Sequence, residues 1–179
     1  MNFFETIEKE TRRRNLPFLV IGGHAVNLYG YARETGDLDF LVSKENRPSW
    51  NELFANLGYR IINDTENFVQ MASNGKNTWP VDLMFVRPAT FTPMLAASRV
   101  VELYKTSMRI PMLEHLIALK LHAIKNTRQQ RFLKDFLDVE NLIRINHLDI
   151  KSENVRGWFE KYATLELYEK MSAALNSGQ

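Results

Sequence analysis

Three aspartates, Asp37, Asp39 and Asp82, are the side chains of this 179-residue chain best suited to chemistry. In an extended segment Asp37 and Asp39 point to one face, ~6.6 Å apart at about 3.3 Å per residue, while Leu38 and Phe40 turn to the core. Carboxylates on one face repel each other unless a cation or ordered water lies between them. Mg²⁺ takes oxygen ligands, commonly one or two carboxylates plus substrate phosphates, so the pair reads as half of a metal site. Asp82 stands in the apolar run Val81 to Val86, where an acid is costly to desolvate without a partner. If the two segments are neighbouring strands, the three carboxylates can hold two Mg²⁺ ions. Two such ions can clamp the attacking and leaving oxygens of an in-line phosphoryl displacement.

A glycine pair precedes this cluster, in Val20-Ile21-Gly22-Gly23-His24-Ala25. Glycines between a strand and a helix let backbone N–H groups approach an anion with no side chain in the way, and the helix N-terminus behind them favours phosphate. His24 is expected at that helix start, orienting the turn, touching phosphate or serving structure alone. Arg33 and Thr35, ahead of the Asp37 segment, are expected to brace the metal-binding strand or meet a nucleotide. Gly-Gly, then Asp-x-Asp, then an isolated strand aspartate form a far more specific pattern together than singly.

The elements that must position these residues follow from periodicity and punctuation. Phe3, Phe4 and Ile7 mark an amphipathic helix ending near Asn15, before Pro17. Phe18 to Ile21 reads as a strand, Ala25 to Tyr29 as a helix closed by Gly30, and Asp37 to Ser43 as a strand. Trp50, Leu53, Phe54 and Leu57 have helical spacing with Gly58 at the stop. Tyr59 to Ile62, Phe68 to Ala72 and Val81 to Val86 read as strands, with a turn at Ser73-Asn74-Gly75-Lys76 between the last two. Residues Phe91 to Met108 are ambiguous. Helices are then expected at Met112 to about Lys125 and about Gln130 to Ile145, with one or two more from Ser152 to Leu175. Interleaved strands and helices thus give way to a helical tail, an α/β (α+β) chain with a core over 1–110 and a C-terminal helical subdomain over 111–179.

Composition narrows the class. Hydrophobic residues make up 45% and charged residues 25%, as in ordinary globular proteins. No cysteine is present, which excludes disulfides, thiolate nucleophiles and iron–sulfur sites. No apolar run reaches the ~18 residues of a membrane span, and the charged N-terminus does not resemble a signal peptide. A cytoplasmic enzyme or binding domain with no membrane partner is the expectation. Between His115 and Lys134 stand Lys120, Lys125, Arg128, Arg131 and Lys134 without an acid among them. Such a field suits a nucleotide or an RNA, or is simply a solvated basic face. His115, His122 and His147 have no mutual metal-ligand spacing, Walker and Rossmann loops are absent, and Trp79 and Trp158 read as core.

Gly22-Gly23, thirteen residues, Asp37-Leu38-Asp39 and the later Val81-Asp82-Leu83 resemble the nucleotidyltransferase superfamily that includes DNA polymerase β. The resemblance implies a minimal core of a mixed twisted sheet flanked by helices. It also implies that Gly22 and Gly23 contact nucleotide phosphates, that Asp37, Asp39 and Asp82 bind two Mg²⁺, and that Asp82 helps deprotonate the attacking hydroxyl. The longer pattern through Arg33-Glu34-Thr35-Gly36 is similar to AbiEii-type abortive-infection toxins and to minimal antibiotic-modifying transferases.

In the tail, Lys120 falls on the apolar stripe of its helix with Leu116, Ile117 and Ile124, and Asp135 falls on the next stripe with Phe132, Phe136 and Val139. A lysine on a buried face needs an anion. Glu114, Lys120, Lys134, Asp135 and Asp138 match the tail pattern of AbiEii-type toxins. By that resemblance Lys120 grips an NTP triphosphate and Asp135 lies near it; a buried Lys120–Asp135 pair joining two helices is the structural alternative. The activity implied is transfer of NMP from an NTP to a hydroxyl of RNA, a tRNA 3′ end included, by a toxin-like enzyme with an antitoxin partner. A small-molecule acceptor such as an aminoglycoside or lincosamide, or a catalytically weak nucleotide- or protein-binding module, are the competing expectations.

Overall fold

In a computed structural model, which describes residues 2–75, 78–126 and 129–177 and omits the side chains of 129 and 130, a capping box opens the first helix. The Asn2 side chain accepts from the Glu5 N–H at 2.9 Å, and the Glu5 carboxylate accepts from the Asn2 N–H at 2.8 Å. This satisfies two of the donors a helix start leaves unpaired. The helix, α1 (Phe3–Arg14), ends at Asn15, whose left-handed backbone returns its N–H to the last turn. Lys76 of the expected turn and Arg128 of the basic run lie outside the described residues.

The chain divides into two compact units, Met1–Ala25 with Glu34–Met112, and Val26–Arg33 with Leu113–Gln179. The first holds a five-stranded mixed sheet in the order β1-β2-β5-β4-β3, built from β1 (Phe18–Val20), β2 (Leu38–Ser43), β3 (Arg60–Thr65), β4 (Phe68–Ala72) and β5 (Val81–Val86). The central pair, β2 and β5, is parallel, and the other three pairings are antiparallel. A parallel pair needs a long crossover; here α3 (Arg47–Asn56) and the β3–β4 hairpin supply it. Trp50, Leu53 and Phe54 on α3 are buried, with the Trp50 ring 6.1 Å from Phe54 and 6.0 Å from Phe40 of β2. This aromatic packing holds the central strand from one side.

Residues Phe91 to Met108, unreadable in the sequence, resolve into the end of α4 (Pro88–Ala96), β6 (Arg99–Leu103) and most of β7 (Thr106–Ile110), the last two forming a separate hairpin. Its two-residue turn is Tyr104-Lys105, with φ of 49° and 63°. Turns of this kind usually carry Asn-Gly, so the customary signal was missing. The helix α2 (Gly22–Leu28) also begins earlier than Ala25 and takes in both glycines.

In the second unit α5 (Leu113–Asn126) packs on α6 (Gln129–Ile145) and α7 (Glu153–Tyr162), and α8 (Leu165–Ser177) packs on α6 and α7. Leu116, Ile117 and Leu121 of α5 and Val139, Leu142 and Ile143 of α6 are buried. No helix among the described residues is long and apolar enough to cross a membrane.

Trp50 is fully buried, and truncating such an aromatic removes transfer energy and leaves a cavity. Trp50→Ala should lose about 3–5 kcal/mol of unfolding free energy, measured by urea denaturation followed by far-UV circular dichroism.

Candidate functional site

The pairing of β2 with β5 decides where the acids meet. In that parallel ladder Asp39 is the register partner of Asp82, so the two side chains leave the sheet on the same face from adjacent strands about 4.8 Å apart. Asp37, two residues before Asp39, shares the face. One carboxylate oxygen from each of Asp37, Asp39 and Asp82 lies within 4.8 Å of the others. Asp82 is only 4% exposed, whereas Asp37 and Asp39 are half-buried. The cluster is therefore anchored in the sheet and open on its outer side.

Two further residues of the first unit shape it. The Thr35 hydroxyl donates to Asp37 Oδ1 at 3.0 Å, orienting that carboxylate and leaving its other oxygen for a ligand. Gly22 has φ +61°, and a Cβ placed there would collide with the Asp39 carboxylate. Only glycine lets the first residue of α2 press against this acid. Gly23 follows in the first turn of α2. His24, the third residue of that helix, is 3% exposed and packs its ring against Trp79 at 5.3 Å and Tyr104 at 5.9 Å.

The same register continues across the sheet with residues the sequence reading did not single out. Gln70 on β4 is the partner of Asp82, and Asn63 on β3 is the partner of Gln70. Asp39, Asp82, Gln70 and Asn63 thus form a polar row over four adjacent strands. Alternation in Phe68 to Ala72 placed Gln70 opposite Val69 and Met71; only strand order put it beside Asp82.

Fit to a metal can be judged from the donor set. Three carboxylates offer hard oxygens, the ligand type Mg²⁺ and other hard divalent cations take. Ionised carboxylates at 4.8 Å repel by on the order of 3 kcal/mol per pair at an effective dielectric of about 20, so a divalent cation among them relieves a built-in repulsion. The glycine cradle at Asp39 keeps the space beside it free of side chain. The residues present fit.

Arg33, Lys120 and Asp135 form a separate constellation in the second unit, with Asp138. The Lys120 amino group lies 2.7 Å from Asp135 Oδ1 and 2.8 Å from Asp138 Oδ2. Arg33 donates through Nε and Nη2 to the two oxygens of Asp138, at 2.6 and 2.9 Å. Asn27 holds Arg33 in place by bonding its backbone N–H and carbonyl at 3.0 and 2.9 Å. Asp138 is fully buried and Asp135 and Lys120 nearly so. The pair foreseen between α5 and α6 is thus one edge of a neutral group of two cations and two anions. Of the basic run, Lys125, Arg131 and Lys134 are exposed, while Lys120 is engaged inward.

A family described as uncharacterised nucleotidyltransferases matches residues 2–167. No curated protein matches the chain. Among solved structures, ANT(2″)-Ia in complex with adenylyl-2″-tobramycin is similar at a TM-score of 0.61 and 16% identity, over 97% of this chain and 94% of that one. An antigenic nucleotidyltransferase-like protein from Paracoccidioides brasiliensis is similar at 0.57 and 12%, over 97% and 90%. The lincomycin-bound lincosamide antibiotic adenylyltransferase LnuA is similar at 0.55 and 13%, over 78% and 93%. At these identities the likeness is one of fold.

Two outcomes follow from the geometry. Asp39→Asn removes one charge of the repelling trio, so in EDTA it should unfold at the same temperature as wild type or higher, while added Mg²⁺ or Mn²⁺ should stabilise wild type and leave the variant unmoved; calorimetric melting reads both. In the second unit, Asp138→Ala removes a fully buried acid that both Lys120 and Arg33 contact and should cost about 3–5 kcal/mol. Lys120→Met combined with Asp135→Leu should cost clearly less than the sum of the single changes, read from urea midpoints.

Proposed function

The chain belongs to the family of uncharacterised nucleotidyltransferases, and from that membership we propose that it is a divalent-metal-dependent enzyme transferring NMP from an NTP to a hydroxyl acceptor. The observation that carries the reading is the approach of Asp37, Asp39 and Asp82 to within 4.8 Å of one another beside the Gly22 turn. In the reaction the acceptor oxygen bonds to the α-phosphorus, the bond from that phosphorus to the bridging oxygen breaks, and pyrophosphate leaves with the electron pair.

Each residue has a part. Asp37, Asp39 and Asp82 would hold Mg²⁺, two ions by analogy with the superfamily, which supply charge neutralisation and alignment of the attacking and leaving oxygens. Asp82, the most buried of the three, would accept the acceptor's hydroxyl proton, and Gln70, its register partner, would orient that hydroxyl through its amide. Thr35 fixes Asp37. Gly22 and Gly23 present backbone N–H groups where a phosphate can approach without a side chain in the way. Arg33, Lys120 and Asp135 bear on the triphosphate through their ion group: Lys120 meets phosphate by exchanging one of its two carboxylate partners for it.

RNA, including a tRNA 3′ end, is the proposed acceptor, supported by exposed Lys125, Arg131 and Lys134 on α5 and α6. The Glu114, Lys120, Asp135 and Asp138 pattern supports a toxin-like, cytoplasmic role under an antitoxin. A second reading, transfer to an antibiotic, is favoured by the fold likeness to ANT(2″)-Ia and LnuA.

Purified protein incubated with each α-labelled NTP, Mg²⁺ and either total tRNA or a panel of aminoglycosides and lincosamides should label the RNA. Asp37→Ala, Asp39→Ala and Asp82→Ala should each cut the rate by on the order of a hundredfold or more, and EDTA should abolish it. Label on an antibiotic alone moves the acceptor to the second reading; no label on any acceptor overturns the proposal.

A further inference from the structure

A cavity of about 850 Å³ in the first unit is lined by Phe3, Tyr59, Trp79, Tyr104, Lys105 and Asn2 among others. That volume is in the range of small-ligand sites. Among the described residues no acidic side chain lines it. Burial pushes the Tyr59 phenol up to about 12, and its hydroxyl donates to the Trp79 carbonyl at 2.8 Å, so Tyr59 stays neutral, and among the described lining residues the one charged side chain is Lys105. A polycationic occupant finds no counter-charge here. A flat, electron-rich occupant carrying negative charge finds both its partners.

The rings are held in place. Tyr104 stacks on Phe4 with centroids 4.4 Å apart and planes 24° from parallel, and is 49% exposed. Trp79 lies 5.8 Å away at 50°; it was expected in the core but is only half-buried. Asn2 donates to the Tyr104 carbonyl at 3.3 Å. The turn itself is costly. Both Tyr104 and Lys105 occupy left-handed backbone, which is unfavourable for a side chain with a Cβ and which Asn-Gly adopts more readily. That cost sets an aromatic face and an ammonium side by side at the cavity mouth.

Chain segments that line the cavity run on into those that carry the acidic cluster, within the first unit. Trp79 precedes Asp82 by three residues, and the Pro80 carbonyl accepts from the Leu38 N–H at 2.9 Å. His24, next to Gly23, packs against Trp79 and Tyr104.

The geometry points to a binding site for a nucleobase carrying phosphate, the base stacked on Tyr104 and Trp79 and the phosphate beside Lys105. Every base has a π-face, so stacking tolerates sequence, and each stacked base contributes enough to read by substitution. The inference deepens the transferase proposal, since the base belongs to the NTP donor or to the RNA acceptor, but the binding itself requires no turnover.

The test measures binding in EDTA, without turnover. A 5′-fluorescein-labelled single-stranded oligoadenylate is followed by anisotropy, and ATP by quenching of tryptophan fluorescence. Tyr104→Gly removes the ring yet accepts the left-handed turn freely, and Lys105→Asn keeps a residue tolerant of that backbone while removing the charge; circular dichroism checks that both fold. Tyr104→Gly should weaken whichever probe supplies the base by about tenfold or more. Lys105→Asn should weaken the same probe and, for the oligonucleotide, lower the salt slope by about one. Loss confined to the oligonucleotide places the acceptor base here, and loss with ATP places the donor base here. Affinities for both probes unchanged in both folded variants overturn the inference. Asp39→Ala should retain this binding. Ring-dependent binding by a wild type that transfers no label therefore sinks the transferase proposal alone. Transfer with ring-independent binding sinks the site alone.

Discussion

Like charges brought together against their own repulsion organise the first unit. Asp39 and Asp82 occupy matched positions on the one parallel pair of the sheet, and a parallel pair forms only when a long crossover returns the chain in the same direction. The buried aromatic side chains of α3 and β2 supply the apolar contact that holds β2 where the repulsion is greatest. Gly22 then closes on Asp39 at a distance no side chain allows. Three carboxylates this close could hold a hard divalent cation, whose charge would offset their mutual repulsion.

The second unit handles charge in the opposite way. Lys120, Asp135 and Asp138 are buried and Arg33 half-buried, yet their formal charges cancel and each carboxylate has a cation within 3 Å. A closed ionic group of this kind contributes little net stability over apolar packing but is expensive to open by one member. It specifies how α5 meets α6 and ties the Val26–Arg33 segment into the same unit. Its shared element is Lys120, whose one ammonium lies between two acids.

Within the first unit the polar row Asp39, Asp82, Gln70 and Asn63 and the aromatic cavity under the Tyr104-Lys105 turn give two different surfaces beside one cluster. One offers carboxylates and amides, suited to metal, phosphate and hydroxyl chemistry. The other offers π-faces and one ammonium, suited to a base.

Much of this was legible in the sequence. The Asp-x-Asp pair, the isolated Asp82, the glycine pair and the stripe positions of Lys120 and Asp135 depend on local periodicity, a property of neighbouring residues, and the strands Phe68–Ala72 and Val81–Val86 fell at their observed bounds. What tertiary structure alone decided was partnership across distance. That Gln70 stands beside Asp82 follows from strand order, which no local pattern encodes. That Arg33 closes on Asp138 follows from which segment the helical unit takes in. The Tyr104-Lys105 turn was hidden because its residues oppose their own backbone preference, and only surrounding contacts, the Phe4 ring and Asn2 among them, can hold a chain there.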